Sequence, residues 1–251
     1  MSEPIISEAA GPVTILRMDH GKANALDLKL LASLAAVFTD LRTAPAVVLT
    51  GTGAIFSAGV DLKQVAAGGR AYLDEFLPRL RETFEVLFSF PRPLVAAVNG
   101  HAVAGGCVLA QTADLRVMSA GSGRIGVTEL LVGIPFPIDA LEIMRFGAGH
   151  ALPAMVFSGR TQPPQRALEL GLVDEVAEPE VALDRAVAAA AGLAAVPART
   201  FELTKLELRR PYLDAIRQRS AVVNPEVEAA WKSEEALKAI QVYVDGLSKR
   251  S

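Results

Sequence analysis

The chain has a single cysteine, Cys107, in 251 residues. No disulfide can form within it, which fits a reducing compartment. Aromatic residues make up only 6%, so the 51% apolar share is mostly small and aliphatic, with 20 glycines among it. There is no basic excess: the formal net charge is −3, which removes the electrostatic case for a nucleic-acid partner. Three histidines and one cysteine show no clustered ligand spacing, so no metal site is expected. No fixed-period repeat or low-complexity linker is present. The N-terminal stretch, with Glu3 and Glu8, has neither the basic patch nor the apolar run of a signal peptide, and a cytoplasmic protein is expected. What remains is a globular chain long enough to bury a large core.

Charge is also missing locally. Pro93 to Ala113 contains no formally charged side chain and is long enough for a membrane helix. Asn99-Gly100 is a turn dipeptide, however, and His101, Gly105-Gly106 and Gln111 interrupt the run. The stretch reads as strand, turn and helix buried in a soluble protein, with no membrane partner.

Short aliphatic runs alternate with helical spacing over the first two thirds. Val13 to Met18, Val47 to Thr50, Leu94 to Val98, Leu115 to Met118 and Val173 to Val176 read as strands. Asp27 to Leu41 and Ala71 to Phe88 read as amphipathic helices, the second with a kink or break expected at Pro78. Strands separated by helices imply an α/β fold with mainly parallel pairing. From Ala182 the pattern is helical, with breaks expected at Pro197, Pro211 and Pro225. Arg199 to Arg209 and Glu226 to Leu247 are charged on one side and apolar on the other. Such a tail packs either on a neighbouring subunit or back on its own core.

Two turns concentrate small residues: Ile55-Phe56-Ser57-Ala58-Gly59-Val60-Asp61-Leu62 and Val98-Asn99-Gly100-His101 through Ala104-Gly105-Gly106-Cys107. Small residues let backbone approach a ligand, and a helix start leaves N–H groups without intrahelical partners. One such group from each turn, converging on a carbonyl oxygen, makes an oxyanion hole; two tight packing turns account for the same residues. Neither turn matches GxxxxGK[ST] or GxGxxG, so nucleotide hydrolysis and nicotinamide chemistry lack a motif.

Phe56-Ser57-Ala58-Gly59-Val60-Asp61-Leu62 and Ala97-Val98-Asn99-Gly100 through Gly105-Gly106-Cys107 resemble the paired signatures of the crotonase (enoyl-CoA hydratase/isomerase) superfamily. Lys22-Ala23-Asn24-Ala25-Leu26 resembles its early NAL motif. Ala110 to Asp114, and Phe157-Ser158-Gly159 to Gly171-Leu172-Val173-Asp174, resemble later landmarks in the same order. The resemblance implies a spiral of ββα turns over 1–195 carrying an acyl-CoA site. A helical region over 196–251 is then expected to build a homotrimer or a dimer of trimers. It further implies oxyanion-hole amides at Ala58 and Gly105, with the acyl-CoA along Gly59, Val60 and Asp61. Coenzyme A enters as part of the substrate, and no separate cofactor is expected.

Hydratases resembling this chain carry two glutamates. One position matches Val108, three residues after the glycine of the hole; the other matches Glu129. Adding water needs one group to activate the water and another to manage the carbon proton, and valine does neither. Moving a double bond from C3 to C2 needs one base, which removes a proton at C2 and returns it at C4. The pattern therefore implies a Δ3,Δ2-enoyl-CoA isomerase with Glu129 as the shuttle and Val108 against the acyl group. Other crotonase chemistry (hydration, thioester hydrolysis, decarboxylation, carbon–carbon cleavage) or acyl-CoA binding without turnover remains the alternative. Asp139 is expected to cap a helix over 140–146 or to reach the acyl pocket. His101 is expected as a polar turn residue with a catalytic role as the alternative, and Cys107 as a buried packing thiol.

Overall fold

Aliphatic runs too apolar for one-sided burial become strands covered on both faces in the computed structural model, which describes residues 3–248. In chain order the elements are β1 (Ile5–Ala10), β2 (Val13–Met18), α1 (Leu28–Asp40), β3 (Ala46–Gly51), β4 (Ile55–Ser57), α2 (Leu62–Phe88), β5 (Leu94–Val98), β6 (His101–Val103) and α3 (Gly105–Gln111). Then come β7 (Leu115–Ser119), β8 (Ile125–Gly126), a 3₁₀ turn at Glu129–Val132, α4 (Ile138–Ala148), α5 (Leu152–Ser158) and α6 (Pro164–Glu169). The chain ends with β9 (Glu175–Ala177), α7 (Pro179–Ala194), α8 (Ala198–Trp231) and α9 (Glu234–Ser248).

The strands form a large sheet in the order β1-β2-β3-β5-β7-β9 and a small one in the order β4-β6-β8. Among the strands of the described residues only β1 and β2 pair antiparallel, and Ile125 of β8 makes an isolated antiparallel bridge to Gln162. Each strand pair β3/β4, β5/β6 and β7/β8 gives one member to each sheet before the chain turns into helix. Repetition of that unit is the expected spiral of ββα turns. Side-chain alternation divides the large sheet: Val13, Ile15, Val48, Val95, Ala97 and Val117 pack under α7. Leu16, Met18, Val47, Leu49, Ala96 and Met118 face the main core beneath the other helices.

Boundaries agree closely for the buried strands and diverge where polarity hides them. β1 has mostly exposed side chains, and β4, β6 and β8 are two or three residues long, so none gives a periodic signal. The strand expected at Val173–Val176 starts two residues further on and ends one later, as β9. The break expected at Pro78 lies instead at Gly69, whose φ of 55° and ψ of −140° interrupt α2. Pro78 and Asp74 are both exposed, so the carbonyl freed by the missing N–H faces water. Pro211 and Pro225 sit within α8 on the same terms, with exposed Glu207 and Ala221 four residues earlier, while Pro197 does separate α7 from α8.

The helical tail folds back on its own core. Trp231 is buried, and its Nε1–H donates to the Pro135 carbonyl at 2.9 Å. Ala236, Ile240 and Val244, each four residues apart, form a buried stripe along α9. The Leu247 and Ser248 side chains and residues 1–2 and 249–251, within the regions 1–195 and 196–251, lie outside the described residues. No single helix among the described residues is long and apolar enough to cross a membrane.

Candidate active site

Asn24 fixes the first glycine turn. Its backbone takes a left-handed φ of 47°, and its side-chain Nδ2 donates to the Ile55 and Phe56 carbonyls, both at 3.2 Å. Its own carbonyl accepts from Ser57 Oγ at 2.8 Å. Asn99 does the same work at the second turn, accepting from the Gly51 amide and donating to the Gly53 carbonyl, each at 2.9 Å. Gly106 lies so close to Ser57 that an added Cβ would be 2.3 Å from its carbonyl oxygen. The small residues thus bring the two turns into backbone contact.

That contact decides which amides are free. Ala58 N–H donates to the Ala23 carbonyl at 3.0 Å, Gly59 N–H to Ser57 Oγ at 3.2 Å, and Asp61 N–H to the Leu26 carbonyl at 3.0 Å. Among the described residues only the Val60 amide of these four has no acceptor. The expectation that Ala58 supplies a donor is therefore corrected, because its hydrogen is already held by Ala23. Gly105 does retain an unpaired amide, as the first residue of α3. Ala104 before it adopts φ 52°, ψ −126°, a strained conformation for a residue with a Cβ, held by its amide on the Gly126 carbonyl at 2.8 Å. A Cβ on Gly59 would stand 2.9 Å from the Gly105 nitrogen, so the Val60 and Gly105 amides border the same space.

A cavity of about 680 Å³ opens on that space, within the range of small-molecule sites. Ala58, Val60, Asp61, His101, Ala104 and Glu129 all border it. His101 is half-buried in strand β6, where a turn was expected. Gly59 and Gly105 lie buried just behind the wall. Val108 is also corrected: at 1% exposure it packs into the main core and does not border the cavity. Asp139 is absent as well. It is buried in the first turn of α4, accepts from Asn224 Nδ2 at 3.3 Å, and borders a different cavity of about 670 Å³ with Arg81 and Glu228. Nor does it cap its helix, since Pro137 holds the N-cap position. The Cys107 thiol is fully buried, and burial pushes its pKa up, which keeps it protonated.

Glu129 opens the 3₁₀ turn and is 8% exposed. Burial raises its carboxyl to about 7, against the opposing pull of its own and Thr128's backbone amides. Its Oε2 is buried without a hydrogen-bond partner among the described residues. Asp61, the other carboxylate on the cavity wall, is committed elsewhere: it caps α2 by accepting from the Lys63 and Gln64 amides at 3.0 and 3.2 Å. Sequence reasoning passed over His20, which lies on the same wall with its Nε2 2.7 Å from Asp27 Oδ2. The two are seven residues apart, and only the turn between them reveals the pair.

Two neighbouring backbone amides without acceptors and a desolvated carboxyl are the groups that acidifying a carbon next to a carbonyl requires. Residues 8–249 match the model of the enoyl-CoA hydratase/isomerase family. The chain belongs to that family, within the crotonase superfamily, whose members act on acyl-CoA thioesters. It is 28% identical over 250 residues to rat enoyl-CoA delta isomerase 1, mitochondrial, covering 97% of this chain and 86% of the relative. It is 34% identical over 191 residues to carnitinyl-CoA dehydratase of Salmonella arizonae, covering 74% and 72%. Among solved structures, human mitochondrial Δ3-Δ2-enoyl-CoA isomerase superposes with a TM-score of 0.92 at 28% identity over 99% of both chains. An enoyl-CoA isomerase of Mycobacterium tuberculosis superposes with 0.82 at 33% identity, covering 90% of this chain and all of its own.

Proposed function

We propose that the protein is a Δ3,Δ2-enoyl-CoA isomerase in which Glu129 is the single proton shuttle. The carrying observation is the state of the two carboxylates on the cavity wall: Asp61 is tied into a helix cap, whereas Glu129 Oε2 has no partner among the described residues. The ionised Glu129 takes a proton from C2 of the 3-enoyl thioester. The electron pair moves into the carbonyl, and negative charge collects on the thioester oxygen. The Val60 and Gly105 amides face that oxygen, each positioned donor being worth a few kcal/mol in such sites. Glu129 then returns the proton to C4, and the double bond lies between C2 and C3. A carboxyl near 7 suits both halves, because a base poised near ambient pH gives up its proton as readily as it takes one. Hydration would ask for a second carboxylate, and Val108 stands in the core where hydratases resembling this chain place it.

A second reading rests on His101, which borders the same cavity and offers a second titratable group for other crotonase chemistry. Incubation with 3-enoyl-CoA and 2-enoyl-CoA side by side, with products followed by mass and absorbance, separates them. Isomerisation conserves mass and hydration adds one water. Glu129→Gln is expected to lower isomerisation by roughly 10²–10⁴-fold; isomerisation at the parent rate overturns the proposal. Assembly as a trimer or dimer of trimers belongs to the same proposal and is read by light scattering on the purified protein.

A further inference from the structure

The cavity wall carries two chemically distinct groups of side chains, one polar with His20, Lys22 and Lys63, the other apolar with Val132, Ile134 and Val244. Glu129 lies beside the apolar group by local geometry: it and Val132 are the first and last residues of one 3₁₀ turn, and side chains three apart in such a turn eclipse one another. An acyl chain whose C2 and C4 lie at Glu129 therefore has Val132 beside it, with Ile134 and Val244 as further apolar members of the same wall.

Part of the wall comes from α9, through Tyr243 and Val244. Val244 is the last described member of the Ala236–Ile240–Val244 stripe; the first two lie in the core, and only Val244 of the three borders the cavity. The helix is held firmly in place. Ala239 packs on Gly133, where an added Cβ would stand 3.7 Å from the Ala239 Cβ, and Trp231 holds the Pro135 carbonyl. At the α8–α9 corner the Arg70 side chain donates to the Lys232 carbonyl at 2.8 Å, while Lys232 Nζ lies 2.6 Å from Asp74 and 3.3 Å from Glu228.

We infer that Val244 sets the length of acyl chain the protein accepts, acting as the end stop of the apolar part of the cavity wall. This rests on the acyl-CoA reading above but not on the isomerase step. A wall residue on an anchored helix discriminates by volume: removing bulk admits further methylenes, and each one buried is worth roughly fourfold in affinity.

Calorimetric titration of the parent, Val244→Ala and Val244→Phe with saturated butyryl-, hexanoyl-, octanoyl- and decanoyl-CoA tests it without turnover. Val244→Ala should raise affinity for the longest chains relative to butyryl-CoA by about four- to sixteenfold. Val244→Phe should lower it for the longer chains and leave butyryl-CoA unchanged, and because it adds bulk it controls for loosened packing in the alanine variant. Variants that keep the parent's order of preference, or shift all four ligands equally, overturn the end stop while leaving the acyl-CoA reading intact. A parent that binds none of the four overturns both.

Discussion

Two carboxylates in this molecule, Asp114 and Glu129, are held on opposite terms. Asp114, at the start of β7, accepts from the Leu94 amide, Lys205 Nζ and Arg209 Nη2 at 2.8, 2.8 and 2.7 Å. Lys205 also donates to the Arg92 carbonyl and Arg209 to the Phe88 carbonyl, so the cluster fastens α8 to the end of α2 and the start of β5. Among the described residues Glu129 has no cation bonded to it, and one of its oxygens has no partner. Satisfying a buried charge fixes structure, whereas leaving one half-satisfied keeps it available to exchange a proton. The fold thus spends its strong pairs on holding the tail and withholds them from the site.

Breaking the satisfied cluster should have the largest effect on stability. Asp114→Asn leaves Lys205 and Arg209 facing each other with no anion, and removal of one partner from a buried ion cluster typically costs about 3–5 kcal/mol. Burial already lowers Lys205 to about 7 and Arg209 to about 10. Urea denaturation at pH 6, where Lys205 carries its charge, should therefore show a larger loss than at pH 8. Equal losses at both would show that Lys205 does not titrate between them. Turnover per folded molecule should stay near the parent's.

The unsatisfied carboxylate predicts the reverse pattern. The folded pKa of Glu129, about 7, lies above its ordinary value of 4.5, so folding takes up a proton between those pH values. The stability this contributes is fully present below 4.5 and is lost as pH rises through 7. Glu129→Gln should therefore gain roughly 2–4 kcal/mol relative to the parent between pH 4.5 and 8. Over the same span kcat/KM of the parent should fall tenfold per pH unit below about 7, since only the ionised carboxyl takes the C2 proton. A thermal scan and a pH–rate profile give the two halves. A stability gap that is flat with pH would mean Glu129 is ordinary.

The difference between the two carboxylates was only half legible in the sequence. Glu129 could be selected because the motif order located it and because one base suffices for an isomerisation. Asp114 stood only as part of a landmark segment, since its partners Lys205 and Arg209 lie some ninety residues away and no local spacing announces them. The buried strands were plain for the opposite reason, as a run such as Leu94–Val98, apolar on both faces, has few other fates. The unpaired amides show the limit of motif reasoning. Ala58, Gly59 and Val60 are consecutive, and which amide stays free depends on Ala23 and Ser57 taking the others. Likewise Pro78 signals a break that its exposed position does not enforce, while the conformation that does break α2 belongs to Gly69.

Asp139 gives the smallest expected effect and the sharpest control. It is buried, and burial raises its pKa too, so by titration alone it resembles Glu129. Its position separates the two, because it faces Asn224, Arg81 and Glu228 in the other cavity and is on no wall that Glu129 shares. Asparagine at this position keeps the shape, can turn its carbonyl oxygen to Asn224 Nδ2, and gives up the interaction of a charge with the first turn of α4, typically about 0.3–1 kcal/mol, and its attraction to Arg81. Relief of the burial cost offsets part of that. Asp139→Asn should thus change isomerisation by less than about twofold and stability by under about 1 kcal/mol. A tenfold loss of turnover with stability unchanged would mean that a raised pKa in a buried carboxyl marks function here regardless of which cavity it faces, and the contrast drawn between the two carboxylates would fail with it.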